Sequence, residues 1–258
     1  MGVLRFLGHK YKDLFFNPVV GVFYLFYPLV IVGILGFIIG NTPNFLFKGM
    51  GFVDFTTPGV LSIVLALNGL VLLPMDSSCM YAVLPSSKNV SYRTRIIGLW
   101  IFHLSLSAAS ILVMYVFGRL FYGIRAPRDL PLTIAACLLS AAVFEQMGFI
   151  LTGWLKKPQT MLVLGFCLFL LFAVFGLVVS TFGDISVLKP FLHDNAKAFA
   201  GWLPIHYSIQ LLSSSWQGLK LNHLTQAWLV LAGLTAGLFA VDFFLRPLRN
   251  GYSKKTQP

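Results

Sequence analysis

The chain has 258 residues, of which 57% are hydrophobic and only 10% are charged, and its mean hydropathy is +0.83. A soluble domain carries roughly 25% charged residues, so this composition excludes a protein whose whole surface faces water. The formal net charge of +11 does not indicate nucleic-acid binding. The basic residues lie mostly in short segments between apolar runs, where anionic lipid and membrane topology explain them.

The first predicted element is a helix over residues 3–16 that lies in the membrane interface. Leu7, Tyr11 and Leu14 fall on one apolar helical face, whereas Lys10 and the other charged residues fall largely elsewhere. An Asn-Pro pair follows and turns the chain into the membrane.

Six apolar stretches then meet or nearly meet the length that a helix needs to cross a bilayer core. A helix needs about 20 apolar residues to cross the bilayer core. The predicted spans cover about 19–39, 57–73, 96–117, 132–154, 160–181 and 227–245. The second is the weakest, because Pro58, Asn68, Gly69 and Pro74 interrupt it.

A semi-apolar patch over 196–212, broken at Pro204, precedes the last span and is too short to cross the membrane. It predicts re-entrant or interfacial helices. The fold class is therefore an all-α membrane protein, with a single transmembrane domain over residues 1–258. Most of the 19 Lys and Arg residues fall in the connections that an N-terminus in the cytoplasm would place inside, which predicts six spans with both termini cytoplasmic.

The motifs of common membrane enzymes and ATPases are absent from the sequence. There is no G-x-x-x-x-G-K-[ST] loop for nucleotide, no H-E-x-x-H zinc motif and no G-x-S-x-G elbow. The three cysteines have no C-x-x-C spacing, and the five histidines lack metal-ligand spacing. We therefore expect neither catalysis, nor a metal, nor a bound cofactor in this chain.

Two polar residues inside predicted spans are candidates for a transport path. Glu145 lies in the middle of the fourth span, where an acidic residue costs about 2.5–3.5 kcal/mol to insert. It is either a polar or proton site in a transport path, or a structural group, namely a hydrogen-bond partner of Gln146 or His103 or a neutral protonated acid. His103, in the third span, is expected to donate a hydrogen bond within the bundle.

Glycine spacing predicts where helices can approach one another closely. The two G-x-x-x-G pairs, Gly36 with Gly40 and Gly233 with Gly237, have the spacing of such contacts.

An ordered set of short motifs runs along the chain. These are F-F-N-P at 15–18, Y-P-L-V at 27–30, D-F-T-T-P-G-V-L at 54–61, L-P-S-S-K at 84–88 and L-P-x-x-Y at 203–207. With the N-terminal interfacial helix, this set resembles the six-span permease subunits of the type-2 ATP-binding-cassette exporters.

The resemblance implies a partner and a mode of action. It places contact with a separate ATPase subunit, which would bind ATP and Mg²⁺, in the inside segment between the second and third spans, at Pro85, Ser86, Lys88, Asn89, Val90 and Tyr92. It also implies a second permease copy or paralogue, a location in the cell membrane, and an amphipathic or hydrophobic substrate such as a drug, a peptide or a lipid-linked molecule. The alternatives are a proton-coupled secondary transporter that uses Glu145, or a membrane-embedded enzyme or scaffold.

Overall fold

The computed structural model describes most of the chain, in the ranges 2–16, 18–47, 49–76, 92–155, 157–176, 179, 194–218 and 224–253. Regular structure in these ranges is helical, apart from one isolated antiparallel bridge between Asn44 and Met50. The helices are α1 Val3–Phe16, α2 Val19–Ile39, α3 Phe52–Asp76, α4 Tyr92–Tyr122, α5 Leu130–Trp154, α6 Pro158–Val174, α7 Asp194–Ala200, α8 Pro204–Gln217 and α9 Leu224–Ser253.

Five of these helices are long and apolar enough to cross a membrane, counted over the described ranges. They are Gly21–Ile39, Phe52–Asp76, Ile96–Tyr122, Leu130–Trp154 and Leu224–Asp242. The predicted fifth span, 160–181, corresponds to the shorter apolar helix α6, and several residues at its end lie outside the described part. The protein is thus an all-α membrane protein, with five membrane-length helices where the sequence predicts six spans.

Helix α3 is the central element of the bundle, although its sequence predicts the weakest span. In its most apolar window 83% of the residues are buried, and it extends beyond the predicted 57–73 at both ends. The helix widens into a single π turn over Asn68–Leu72 and then continues to Asp76. Such turns break the regular hydrogen-bond ladder and occur frequently at functional sites.

Close backbone contact surrounds this π turn. A Cβ atom at Gly69 would overlap the backbone of Phe144 on α5, and one at Gly148 would overlap the carbonyl oxygen of Gly69. A Cβ at Gly165 on α6 would overlap the carbonyl oxygen of Leu70. Three glycines therefore let α5 and α6 touch the backbone of α3.

Neither predicted glycine pair brings two helix backbones together within the described part of the chain. No described heavy atom lies within 4 Å of a Cβ built at Gly40, Gly233 or Gly237. Gly36 alone meets a neighbour, the ring of Tyr122.

The predicted patch before the last span forms two helices, and the break falls at Pro204 in the first turn of α8. Proline is tolerated there because its missing N–H would be unpaired anyway. The buried face of α8 includes Ile205, Leu211 and Leu212, which join the apolar cores that α3 and α5 build. This helix therefore packs inside the bundle, against membrane-length helices, as a re-entrant element would.

Candidate functional site

A buried ion pair joins the N-terminal helix to the end of α3. Lys10 Nζ lies 2.9 Å from Asp76 Oδ2 and 3.1 Å from Oδ1, and both residues are buried. On α4, His103 Nε2 lies 3.2 Å from the same Oδ2 atom. Because a buried charge is unfavourable unless it is paired, these contacts hold α1 and α4 against the end of α3.

Two tyrosines of α2 extend the cluster along α3. Tyr24 Oη lies 2.8 Å from His103 Nδ1 and 3.4 Å from the carbonyl oxygen of Asn68. Tyr27 Oη lies 2.6 Å from the carbonyl oxygen of Val64 and 2.8 Å from Asn68 Oδ1. His103 Nδ1 can accept from Tyr24 Oη, which leaves the ring proton on Nε2 beside Asp76. The Nε2 atom makes no aligned hydrogen bond among the described residues.

Asn68 connects this cluster to Glu145 through Ser107. Asn68 Nδ2 donates to Ser107 Oγ at 3.1 Å, and Ser107 Oγ donates to Glu145 Oε1 at 3.3 Å. Glu145 is only 1% exposed, and its Oε2 atom has no hydrogen-bond partner among the described residues. A buried carboxyl oxygen of this kind would be stabilised by a proton, a cation or a donor group of a ligand.

The polar side chains form one network across five helices. It runs from Lys10 on α1 and Asp76 on α3, through His103 and Tyr24, to Asn68, and from there through Ser107 to Glu145 on α5. Asn68, the first residue of the π turn, lies at the centre of this network. Its side chain bonds to Tyr27 on α2 and Ser107 on α4, and its carbonyl oxygen lies 3.4 Å from Tyr24 Oη on α2. We call these seven residues and Tyr27 the polar network.

An apolar cleft of about 420 Å³ opens between α4 and α5. Its walls are mostly aliphatic and aromatic, with Thr133 and Ser107 as polar exceptions, and Leu65 of α3 and Trp216 of α8 also line it. At its sides Leu112 and Ile134 are more than half exposed. Because Ser107 lines the cleft and donates to Glu145, the polar network reaches the cleft wall at this residue.

The other end of α3 is tied by a separate set of contacts. Asp54 Oδ1 accepts from the Arg125 backbone N–H at 2.8 Å, and Arg125 Nε lies 3.6 Å from Asp54 Oδ2. Asn41 Oδ1 accepts from the Asp54 N–H at 3.0 Å, and Gln217 Nε2 donates to the carbonyl oxygen of Phe55 at 2.9 Å. These bonds join the connection after α4 and the end of α8 to the beginning of α3.

The two polar candidates from the sequence both belong to the polar network, but they do not contact each other. His103 contacts Tyr24 and Asp76, and Glu145 accepts from Ser107. Glu145 therefore bonds to Ser107, and not to Gln146 or His103, the two partners suggested by the sequence.

The predicted ATPase-contact residues lie largely outside the described part of the chain. Pro85, Ser86, Lys88, Asn89 and Val90 fall in the range 77–91, which the structure does not describe. Tyr92 is the first residue of α4, and its side chain is not described.

Sequence reasoning missed most of the polar network. The helical pattern places Lys10 away from the apolar face of its helix, as expected of a charge in water, yet Lys10 is 7% exposed. The same pattern indicates Asn68 only as an interruption of the second span and predicts no role for Ser107. The available signal was the cluster of polar residues at matched depth in three apolar stretches, since polar side chains inside a membrane bundle usually find one another.

No family model matches the chain, and no curated protein is detectably similar to it. Composition and fold define a multi-pass helical membrane protein. Its function is therefore argued from the polar network, the cleft and the motifs of the sequence.

Proposed function

We propose that the chain is the membrane-spanning permease subunit of an ATP-binding-cassette exporter, which moves an amphipathic or hydrophobic substrate across the cell membrane. The observation that carries the proposal is the polar network, which crosses five helices and reaches the wall of an apolar cleft at Ser107. Ionisable groups within membrane-length helices are unfavourable and typically mark the paths of ions or substrates.

The proposal includes a separate source of energy. The sequence has no phosphate-binding loop, so ATP and Mg²⁺ would be bound by a partner ATPase, and a second permease copy or paralogue would complete the exporter. In this arrangement α6 is the fifth of six spans, α7 and α8 form the re-entrant segment, and both termini are cytoplasmic. The motif order that resembles type-2 exporter permeases supports the same arrangement.

The contacts of α1, α3 and α4 support a route for coupling. The proposed ATPase contact, within 85–92, lies in the stretch that runs from the end of α3 at Asp76 to the first residue of α4, Tyr92. Lys10 and His103 hold those two helices and α1 together at Asp76. A movement imposed on the connecting segment would therefore displace three helices as one body, the kind of rigid-body change that transporters use.

Reconstitution with its ATPase tests this function. The chain alone in proteoliposomes should hydrolyse no ATP, whereas a complex with the P-loop ATPase that copurifies with it should show ATP-dependent substrate export. Val90→Pro should uncouple hydrolysis from export and leave the protein in the membrane. Cysteines at 86–92 should crosslink to the ATPase; if they never do while a cysteine at Lys157 does, the contact lies in the other inside connection.

A proton-coupled secondary transporter is the second candidate, and one observation favours it. Asp76, His103, Tyr24 and Glu145 are titratable groups within a single network, and Glu145 Oε2 has no hydrogen-bond partner in the described ranges. Substrate movement driven by a pH gradient in vesicles that contain only this chain would favour this function. Movement that needs both the ATPase and ATP, and that ignores the gradient, would exclude it.

A further inference from the structure

We propose that the cleft between α4 and α5 binds a single-chain anionic lipid, with the hydrocarbon chain between the two helices and the polar head at the Trp216 end. That this lipid is also the transported substrate rests on the proposed function. Binding of the lipid in the cleft does not, because it needs only this chain.

The cleft has the size and lining of a binding site for one hydrocarbon chain. Its volume of about 420 Å³ falls in the range of small-molecule sites, roughly 300–1,000 Å³. Along α4 it extends from Leu104 past Ser107 to Tyr115, and the step from Ser107 to Tyr115 alone spans about 12 Å at the helical rise per residue. Bound hydrocarbon would cover apolar side chains on both walls.

The Trp216 end offers hydrogen-bond and charge partners for a head group. The indole of Trp216 packs edge-on against Tyr115, with ring centroids 5.7 Å apart, and its Nε1–H has no acceptor among the residues that the structure describes. A buried tryptophan N–H normally has a partner, and an ester carbonyl oxygen is an acceptor of the required kind.

Two arginines lie beside this end of the cleft. The backbone N–H of Arg128 donates to the carbonyl oxygen of Trp216 at 3.0 Å, and Arg128 is exposed. The side chain of Arg125 is 62% exposed, although its Nε lies 3.6 Å from Asp54. Their neighbours Ala126 and Pro127 line the cleft. Guanidinium groups pair well with phosphate, so an anionic head fits this position better than a neutral one.

Photoaffinity labelling of the whole chain in phosphatidylcholine nanodiscs tests the proposal. The probe is a lysophosphatidylglycerol analogue with a diazirine in its alkyl chain, and labelled residues are located by mass spectrometry. We expect saturable labelling within 104–115 and 130–141 that unlabelled lysophosphatidylglycerol suppresses at lower concentration than lysophosphatidylcholine. Equal suppression by the two lipids would overturn the assignment of an anionic head.

Matched variants separate the cleft from the general lipid surface. Ala108→Trp should fill the cleft and reduce labelling at least tenfold, whereas Leu120→Trp, at an exposed position of α4 outside the cleft, should leave it unchanged. Trp216→Phe keeps an aromatic ring but removes the N–H, and should weaken binding by roughly two- to tenfold, the value of one hydrogen bond. Arg128→Gln should reduce the preference for phosphatidylglycerol.

Two results would overturn the proposal, because either would mean contact with bulk lipid only. One is labelling that does not saturate, and the other is labelling that Ala108→Trp and Leu120→Trp change equally. Unchanged binding in Trp216→Phe would exclude the contact between the Trp216 N–H and the lipid carbonyl. The labelling experiment contains no ATPase, so an absence of lipid binding would leave the exporter proposal standing. Conversely, if the lipid binds but the export assay fails, only the exporter proposal is contradicted.

Discussion

Helices α3 and α9 have similar apolar character but opposite surroundings. Their most apolar windows have mean hydropathies of 2.0 and 1.7, yet 83% of the residues are buried in α3 and only 11% in α9. Two of the residues that make α3 a weak span by sequence, Asn68 and Gly69, make close contacts with neighbouring helices. Interruptions in an apolar stretch can therefore mark the central helix of a membrane protein.

The physical reason is that lipid tails are as apolar as leucine, so hydropathy gives no preference for the bundle centre over its surface. Polar side chains and close backbone contact provide that preference. Asn68 bonds to partners on two other helices, and Gly69 admits the backbone of α5. In α9, by contrast, Thr235 donates to the carbonyl oxygen of Leu231 in its own helix, and Gly233 meets open space.

The largest difference between α3 and α9 is expected when a glycine of each helix is replaced by a bulky residue. Gly69→Val should largely abolish the folded protein, because the new side chain overlaps the backbone of Phe144, and overpacking costs roughly 1–3 kcal/mol or more. Gly233→Val should fold normally. Fluorescence-detected size-exclusion chromatography of the solubilised variants measures the difference, and equal monodisperse yields would contradict the central place of α3.

A second test breaks the ion pair at the end of α3. Among the described residues, Lys10→Met leaves the buried Asp76 with His103 as its remaining partner, and removing one member of a buried pair costs roughly 3–5 kcal/mol. Adding Asp76→Asn to Lys10→Met should restore part of the lost stability, because the unpaired charge is gone.

The matched control for that test is the exposed pair of Asp194 and Lys197 on α7. Asp194→Asn should change the thermal unfolding temperature little, because exposed pairs contribute little. If Lys10→Met were as harmless as Asp194→Asn, the ion pair would not hold α1 in place.

A third test separates structure from transport at Glu145. Glu145→Gln keeps an acceptor for Ser107, so stability should change by no more than about 1 kcal/mol, while substrate movement should fall because the ionisable group is lost. Glu145→Leu should lower both. Flux and unfolding temperature of the same preparations give the answer, and normal flux in Glu145→Leu would exclude the residue from the mechanism.

The smallest expected effect compares two hydroxyl groups. Ser107→Ala removes the link between Asn68 and Glu145 and should destabilise the protein by about 0.5–1.5 kcal/mol. Thr235→Ala on α9 removes a bond within one helix and should have a smaller effect. Thermal unfolding in one detergent ranks the two variants; the reverse order would weaken the distinction between the helices.

Local properties of the sequence predicted the class of protein and most of its helices. The helix over 3–16 has the predicted bounds, and α5 covers the predicted 132–154 with two additional residues at its start. Apolar length and helical periodicity are properties of neighbouring residues, which is why composition and spacing were sufficient for them. The same reasoning placed the break before α8 at Pro204.

The sequence by itself thus determined an apolar, helical chain with charged connections, and it pointed to Glu145 and His103 as unusual groups. Only the tertiary structure decided what those groups contact. Lys10 pairs with a carboxylate 66 positions later, and Asn68 with a hydroxyl 39 positions later. Such pairings depend on how helices pack in three dimensions, because a buried polar group must find a partner wherever the fold provides one, and no local pattern in the sequence specifies which one.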